Sequence, residues 1–171
     1  MKHIELFKNG FDSTITEKIK PENWPYVGYD AVSGEIVFTM VPEPVEGPAN
    51  NEIWYTSIDG NEIPLYEVPE LGSLGGGLQE STYENGIGVF KFSNDITILG
   101  TYSLSSNLFM SITIPNSVTR IEMWVFDNCE NLTSIAYNGT TEQWNSITKS
   151  YGWNSVIPAT YVQCTDGRVE L

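Results

Sequence analysis

The residue types that carry most enzyme and metal chemistry are scarce in this chain of 171 residues. His3 is the only histidine, and the two cysteines, Cys129 and Cys164, belong to no Cys-x-x-Cys pair. Serine and cysteine nucleophiles are usually activated by a nearby histidine, whereas His3 lies close to a chain terminus. Zinc sites need closely spaced cysteines and histidines. We therefore predict no catalytic residue, no metal site, no cofactor, and two free, partly buried thiols.

Carboxylates are abundant, with 22 Asp and Glu residues and a net charge of −14. Paired carboxylates hydrolyse glycosidic bonds when a cleft holds them at a set separation, but no sequence feature selects such a pair. A carbohydrate-active enzyme is therefore the weaker alternative. Between Lys20 and Lys91 there are twelve acidic residues and no basic one, which disfavours nucleic acids and anionic membranes as partners. We interpret this acidity as a contribution to solubility; calcium binding is the alternative, but the spaced ligand loop that would make it specific is absent.

Aromatic residues are the remaining candidates for contact with a partner. Trp24 and Tyr26 lie on either side of Pro25, where they could attach the chain to another protein. Trp144 and Trp153 could stack against a glycan, although burial under the C-terminal cap is the simpler explanation.

The elements that would position these residues begin with an N-terminal β or attachment region, residues 1–41. Ser33-Gly34 precedes the apolar run EIVFTMV, and prolines bracket the run, so a β-hairpin ending at residue 41 is predicted. The proline-rich segment PEPVEGPANN, residues 42–51, is typical of an extended linker and marks a domain boundary.

Residues 52–93 are predicted to be a β-hairpin region that leads into a repeat. Asp59-Gly60 and Asn85-Gly86 each separate two β-prone runs, and both dipeptides are strong hairpin signals. The glycine-rich segment LGSLGGGL, residues 71–78, lacks the lysine of a phosphate-binding loop, and we interpret it as a flexible loop.

A short repeat occupies residues 94–137. The segment ITILGTYSLSSNLFMSITIP aligns with VTRIEMWVFDNCENLTSIAY at an offset of 22 that grows to 23 after one insertion. The aligned pairs are Ile96 with Val118, Thr97 with Thr119, Leu99 with Ile121, Tyr102 with Trp124, Leu104 with Phe126, Met110 with Leu132 and Ile112 with Ile135. A period in the low twenties is typical of leucine-rich repeats, in which stacked turns bury one another's apolar residues. All the repeat residues, including Cys129, are therefore predicted to be core.

The segment SITIPNSVTRIEMWVFDNCENLTSI resembles the BspA-like leucine-rich repeats of bacterial surface proteins. The residues on that pattern are Pro115, Asn116, Ser117, Val118, Ile121, Phe126, Cys129, Leu132 and Ile135. The sequence departs from it at Glu122, where glycine is usual, at Val125, where alanine is usual, and at Asn107, which takes the cysteine position in the first unit. The resemblance implies adhesion or surface recognition in gut-associated bacteria.

The last segment, residues 138–171, is predicted to cap the repeat with a helix and a hairpin. Thr140 and Gln143 form a capping-box pattern, and Trp144, Ile147 and Tyr151 follow at helical spacing, which predicts a helix of about ten residues. In YVQCTDGRVEL, an Asp-Gly turn joins two short strands.

The predicted fold is therefore mainly β with one short helix. It has an N-terminal hairpin or arm, a short leucine-rich-repeat-like solenoid and a helix-hairpin C-terminal cap. Two repeats are fewer than the three that usually support themselves, so we expect the module to lean on its N-terminal half, its cap or another copy in a homo-oligomer.

We predict a non-enzymatic display or interaction module that contacts protein or glycan. The printed N-terminus has no apolar leader and no run could span a membrane, so we expect cytoplasmic synthesis followed by display outside the cell. A head-fibre-like or tail-associated component of a phage virion of gut bacteria fits best. The alternative is a secreted adhesin recorded without its leader.

Overall fold

The computed structural model describes residues 26–30, 35–39 and 47–171, and the chain divides into two units between Glu46 and Gly47. In the first unit, β1 (Tyr26–Asp30) and β2 (Glu35–Thr39) form an antiparallel hairpin, as predicted. The predictions for the N-terminal arm and for residues 42–46 of the linker lie outside the described residues.

The second unit, Gly47–Leu171, is mainly β with one short helix among its described residues. Its elements are β3 (Glu52–Ser57), 3-10 turns at Leu65–Glu67 and Pro69–Ser73, β4 (Leu78–Glu84), β5 (Ile87–Phe92), β6 (Ile98–Leu99), β7 (Phe109–Ile114), β8 (Arg120–Ile121), β9 (Ser134–Tyr137), α1 (Thr141–Ser146), β10 (Thr148–Lys149), β11 (Tyr161–Cys164) and β12 (Gly167–Glu170).

The two predicted repeats are successive coils of a solenoid. Strands β6 and β7 form the first coil, and β8 and β9 stack on them in parallel. Leu99 pairs with Ile121 at an offset of 22, and Ile112 pairs with Ile135 at an offset of 23, so the predicted register is confirmed at both strands. All four side chains are buried, because each coil covers the apolar face of its neighbour.

One predicted pair, Met110 with Leu132, is wrong by one residue. Leu132 is fully buried, but Met110 is 44% exposed and its neighbour Phe109 is the buried residue. The offset between the two coils is 23 residues at this point, because the Met110 carbonyl accepts a hydrogen bond from the Thr133 amide. The inserted residue of the second coil therefore lies between Phe126 and Leu132.

A third coil lies within the segment predicted to be the cap. Strand β10 pairs in parallel with β8, placing Lys149 beside Ile121, and β11 pairs in parallel with β9, placing Val162 beside Ile135. The offsets rise to 28 and 27 because α1 is inserted between the second and third coils. The prediction of only two coils is therefore wrong, while the predicted hairpin around Asp166-Gly167 is present as β11 and β12.

Helix α1 begins as predicted but ends early. The Thr140 hydroxyl accepts a hydrogen bond from the Gln143 amide, and the Gln143 side chain accepts one from the Thr140 amide, which completes the capping box. The helix has six residues rather than about ten, because Ile147 is extended and leads the chain into β10. Tyr151 consequently lies beyond the helix.

Lys149 closes the C-terminal end of α1. Its ammonium group donates hydrogen bonds to the Trp144 carbonyl at 2.5 Å and the Ile147 carbonyl at 3.2 Å. It also lies 4.5 Å from the centre of the Trp144 ring, where a cation–π contact is favourable. Removal from water lowers the pKa of Lys149.

The N-terminal side of the first coil is extended by antiparallel strands. Strand β3 pairs with both β7 and β5, and β4 forms the edge of a seven-stranded sheet in the order β12-β11-β9-β7-β3-β5-β4. The β4–β5 hairpin turns at Asn85 and Gly86, both with positive φ, as the Asn-Gly signal predicts.

The second predicted hairpin, at Asp59-Gly60, is wrong. The chain turns there, with Gly60 at φ 72°, but no partner strand follows. Pro64 and Pro69 deprive the next segment of two backbone donors, and it forms 3-10 turns instead. This segment buries Ile63, Val68, Leu71 and Leu74 in the core.

The glycine-rich segment, interpreted from the sequence as a flexible loop, contains a turn that is hydrogen-bonded to the end of β5. Gly75 and Gly77 accept hydrogen bonds from the amides of Asn94 and Ser93, at 2.7 and 3.0 Å. Both glycines have positive φ, and a Cβ on Gly75 would lie 2.7 Å from the Asn94 carbonyl oxygen. The glycines therefore allow the close approach of this turn to the end of β5.

Ser103 provides a test of core packing in the first coil. Its hydroxyl is fully buried and has no hydrogen-bond partner among the described residues. An unsatisfied buried hydroxyl destabilises the folded state, so Ser103→Ala is expected to raise the free energy of unfolding by about 1 kcal/mol in urea denaturation. The matched Ser106→Ala should lower it, because the Ser106 hydroxyl accepts a hydrogen bond from the Leu108 amide. A loss of stability in Ser103→Ala would contradict this assignment.

Candidate recognition site

The cysteines are placed for packing rather than for chemistry. Cys129 and Cys164 are free and buried, and the Cys129 thiol donates to the Leu104 carbonyl at 3.0 Å. Burial raises the pKa of Cys129 to about 12 and also raises that of Cys164, so both are protonated at neutral pH.

Neither a cluster of metal ligands nor a membrane-spanning helix occurs in residues 26–30, 35–39 and 47–171, the part of the chain that the structure describes. Among these residues, no group of three or more His, Cys, Asp or Glu side chains could hold a metal ion. No helix among them has the length and apolar composition needed to cross a bilayer.

The tryptophans predicted to stack on a glycan are buried. Trp144 is 1% exposed and Trp153 is 8% exposed, and their rings pack edge to face at 5.7 Å. The alternative interpretation, burial near the end of the solenoid, fits this placement, because neither ring presents a face to solvent. Tyr26 begins β1, and Trp24 lies outside the described residues.

Two repeat aromatics predicted to be core are on the surface instead. Tyr102 is 39% exposed and Trp124 is 44% exposed, and their rings stack at 5.7 Å with planes 23° apart. Met123 is 39% exposed beside Trp124, and Tyr151, the matching residue of the third coil, is 93% exposed. We call these four side chains, Tyr102, Met123, Trp124 and Tyr151, the aromatic ridge.

The ridge follows from a turn that recurs in every coil. Tyr102, Trp124 and Gly152 occupy equivalent positions and have φ angles of 61°, 56° and 75°. The carbonyl of each accepts a hydrogen bond from the amide three residues later, at 3.2, 3.1 and 3.5 Å. Glycine adopts this left-handed backbone freely, whereas a residue with a Cβ pays about 1–2 kcal/mol.

Gly152, the glycine of the third coil, also limits the number of rings that can stack in the ridge. A Cβ on Gly152 would lie 3.3 Å from Nε1 and 3.5 Å from Cδ1 of Trp124. A third side chain in this column would therefore crowd the indole. Trp124 therefore stacks on Tyr102 of the first coil, and Gly152 adds no third ring to the column.

Three polar side chains of the second and third coils hold one another in place. Arg120 Nε donates to Glu122 Oε1 at 2.6 Å, and Ser150 Oγ donates to Glu122 Oε2 at 3.0 Å. These two hydrogen bonds, that of Arg120 first, lower the pKa of Glu122 and keep it charged. We call Arg120, Glu122 and Ser150 the polar trio.

The polar trio is adjacent to the aromatic rings along the chain. Glu122 precedes Trp124 by two residues, as Ser150 precedes Gly152, and two residues span at most about 7 Å. The Arg120 and Glu122 side chains are 52% and 27% exposed. The surface therefore combines ordered apolar rings with fixed hydrogen-bonding groups.

The repeat alignment contained part of the signal for this site. It paired Tyr102 with Trp124, but large aromatics are usually buried, so both were assigned to the core. The side chains of Tyr102 and Trp124 point outward because the backbone at this turn is left-handed. A glycine at either position would have indicated such a backbone from the sequence alone. The glycine at the equivalent position, Gly152, lies in the third coil, which the 22-residue spacing of the repeat does not reveal.

Comparison with protein families identifies the repeat. A family model described as the BspA type leucine rich repeat region (6 copies) matches residues 79–152. The matched segment runs from β4 into the third coil and includes the aromatic ridge and the polar trio. Neither the curated proteins nor the solved structures gave a match.

Proposed function

Residues 79–152 of the chain are a BspA-type leucine-rich repeat region, and on that premise we propose that the protein is a non-enzymatic recognition module. Leucine-rich repeats typically serve protein interaction or adhesion, through surfaces that stacked coils hold rigid. The surface we assign to this role is the aromatic ridge with its polar trio.

One observation carries the proposal: the chain keeps two exposed aromatics where glycine would fit. Tyr102 and Trp124 both have left-handed backbones, and Gly152 occupies the same turn in the third coil. Exposed aromatics at a strained position lower stability and solubility, and the rings are too exposed to be core. Contact with a partner gives a reason for the chain to keep them.

Replacement of both ridge rings tests this role. Asparagine tolerates left-handed backbone, so the double variant Tyr102→Asn/Trp124→Asn should keep the fold and the melting temperature within a few degrees. Binding of the labelled full chain to intact gut bacterial cells and to mucin, measured by flow cytometry, should fall at least tenfold.

The matched control is Tyr66→Asn, which removes a 78% exposed tyrosine from the 3-10 turn at Leu65–Glu67. This variant should bind as the parent chain does. Absence of binding to every cell type and to mucin, or equal binding by the double variant, would contradict the proposal.

The proposal extends to the location of the module. The repeats resemble those of bacterial surface proteins, and we place this chain on the outer surface of a phage virion of gut bacteria, as a head-fibre-like or tail-associated component made in the cytoplasm. Mass spectrometry of purified particles beside cell fractions tests this placement. Enrichment in particles supports it, and enrichment in the medium without particles favours the secreted adhesin. Detection in soluble cytosol alone would contradict both.

Association with further copies of the chain belongs to the same proposal. A chain of two coils would need such support, but the second unit contains three coils, extended by β3, β5 and β4. Light scattering after size-exclusion chromatography of the full chain measures the assembly directly. A homo-oligomer would therefore need an interface other than the open end of an incomplete solenoid.

A further inference from the structure

We propose that the aromatic ridge and the polar trio form one binding site for the sugar rings of a neutral glycan. The inference rests on the proposed function, since it names the ligand class for the same surface. It differs from the glycan contact considered from sequence, because Trp144 and Trp153 are buried and the ridge uses other residues.

The apolar half of the site suits the carbon-bound hydrogens of a sugar ring. These hydrogens carry a small positive charge, and the face of an aromatic ring is negative. Tyr102 and Trp124 stack and are thereby held in place, while Tyr151 adds a ring that is 93% exposed on the next coil. Rings ordered before binding lose less conformational entropy when a ligand arrives.

The polar half suits hydroxyl groups. A sugar hydroxyl both donates and accepts, and the trio offers each kind of partner: the Arg120 guanidinium has further N–H donors, the Glu122 carboxylate accepts, and the Ser150 hydroxyl, whose proton is bonded to Glu122, also accepts. The bonds from Arg120 and Ser150 to Glu122 fix the carboxylate without occupying all its acceptor positions. A purely apolar ligand would remove water from these groups without forming hydrogen bonds that replace it.

The size of the surface favours a glycan over a folded protein. The ridge and trio together comprise seven side chains, whereas a stable protein interface takes about 20–30 residues on each side. A few sugar units can cover seven side chains. Ligands of that size typically bind through a few oriented polar groups beside aromatic rings.

The charge of the unit selects neutral glycans. Residues 47–171 contain fourteen acidic and four basic side chains, a net charge of −10. At the site, Arg120 is already paired with Glu122, and the nearby Lys149 ammonium is bonded to the Trp144 and Ile147 carbonyls. The negative charge of the unit would therefore repel sialylated or sulfated glycans, and the site offers no unpaired cationic side chain to offset that repulsion.

The test is isothermal titration calorimetry of the full chain with neutral hexasaccharides: cellohexaose, maltohexaose, mannohexaose and chitohexaose. At least one should bind with a Kd below about 1 mM, a free energy of about −4 kcal/mol. Trp124→Asn should weaken that binding at least tenfold and Glu122→Gln at least threefold, while Tyr66→Asn should leave it unchanged. Sialyllactose and a heparin hexasaccharide should show no heat of binding.

The inference is overturned if no hexasaccharide binds at 1 mM ligand, or if the bound one is held equally by Trp124→Asn. Near-ultraviolet circular dichroism separates lost contacts from a lost fold. The cell-binding assay separates this inference from the proposed function. If binding to cells depends on the ridge but excess hexasaccharide does not compete, the recognition module stands and its ligand is not a neutral glycan.

Discussion

Gly88→Ala is expected to lower the free energy of unfolding by about 3 kcal/mol, because a methyl group at this position overlaps the ring of Tyr55. Gly88 lies buried in β5, directly opposite Tyr55 in β3. The ring has little room to move, since it stacks on Phe90 at 4.6 Å and meets the edge of Phe109 at 5.6 Å.

The expected loss has two parts. Forcing a methyl group into a packed core costs about 1–3 kcal/mol. The Tyr55 hydroxyl also accepts a hydrogen bond from the Ile63 amide at 3.1 Å, and a displaced ring leaves that buried amide without its partner, at a further cost of about 1–3 kcal/mol. The first cost falls on the contact between β5 and β3, and the second on the contact between β3 and the residue Ile63, which precedes the 3-10 turns.

Urea denaturation of the full chain measures this loss. Gly72→Ala is the matched control, because no atom lies within 4 Å of the added methyl group and the backbone there is not left-handed. It should change the free energy of unfolding by less than about 0.5 kcal/mol. Equal effects of the two substitutions would show that the Tyr55 ring yields without cost.

Alkaline pH is expected to destabilise the second unit through Cys129. Burial raises the pKa of this thiol from 9.0 to about 12, so the unfolded chain loses the proton near pH 9 while the folded chain retains it. The stability that this thiol contributes is complete below pH 9 and is lost progressively as the pH rises towards 12. At about 1.4 kcal/mol for each pH unit, the loss approaches about 4 kcal/mol.

Other groups titrate in the same range. Burial also raises the pKa values of Cys164, Tyr55 and Tyr137, and each contributes a loss of the same sign. The lowered pKa of Lys149 acts in the opposite direction, since the unfolded chain then binds more protons below pH 10.5. A variant is therefore needed to isolate the thiol.

Urea midpoints between pH 8 and 11, with a reducing agent present, provide that comparison. Cys129→Ala should flatten the fall in stability, whereas Cys164→Ala, which removes the other buried thiol, should retain most of it. The interpretation is wrong if Cys129→Ala falls as steeply as the parent chain.

The stacking register could be predicted because it depends on local apolar recurrence. Leu99 and Ile121, and Ile112 and Ile135, recur at the spacing at which coils stack, and the structure pairs them so. The hairpin at Asn85 and the capping box at Thr140 depend on only a few neighbouring residues, which is why turn and cap chemistry sufficed for both.

The third coil was hidden by two changes in the same place. Helix α1 lengthens the chain between equivalent positions, and Lys149 stands in the column that Leu99 and Ile121 occupy in the earlier coils. The pairing of β3 with β7 was also invisible, because it joins Trp54 to Thr113 across 59 residues without a local signal. Such contacts depend on the whole fold rather than on any segment.

The site could be predicted only as an alignment of two aromatics. Whether Tyr102 and Trp124 point inward depends on the sign of φ at one turn, which side-chain type alone does not determine. Glu122 was noted as a departure from the usual repeat pattern, and the structure gives that departure a position beside the ridge, bonded to Arg120 and Ser150.

Lys149 also sets the number of coils. A fourth coil would have to lay an apolar residue over an ammonium group that already bonds two carbonyls, and burying that charge further would cost several kcal/mol. On the seven-stranded sheet, antiparallel β12 takes the place beside β11 that a fourth parallel strand would need. The parallel array therefore ends at its third coil, and an antiparallel strand, β12, forms the edge of the sheet there.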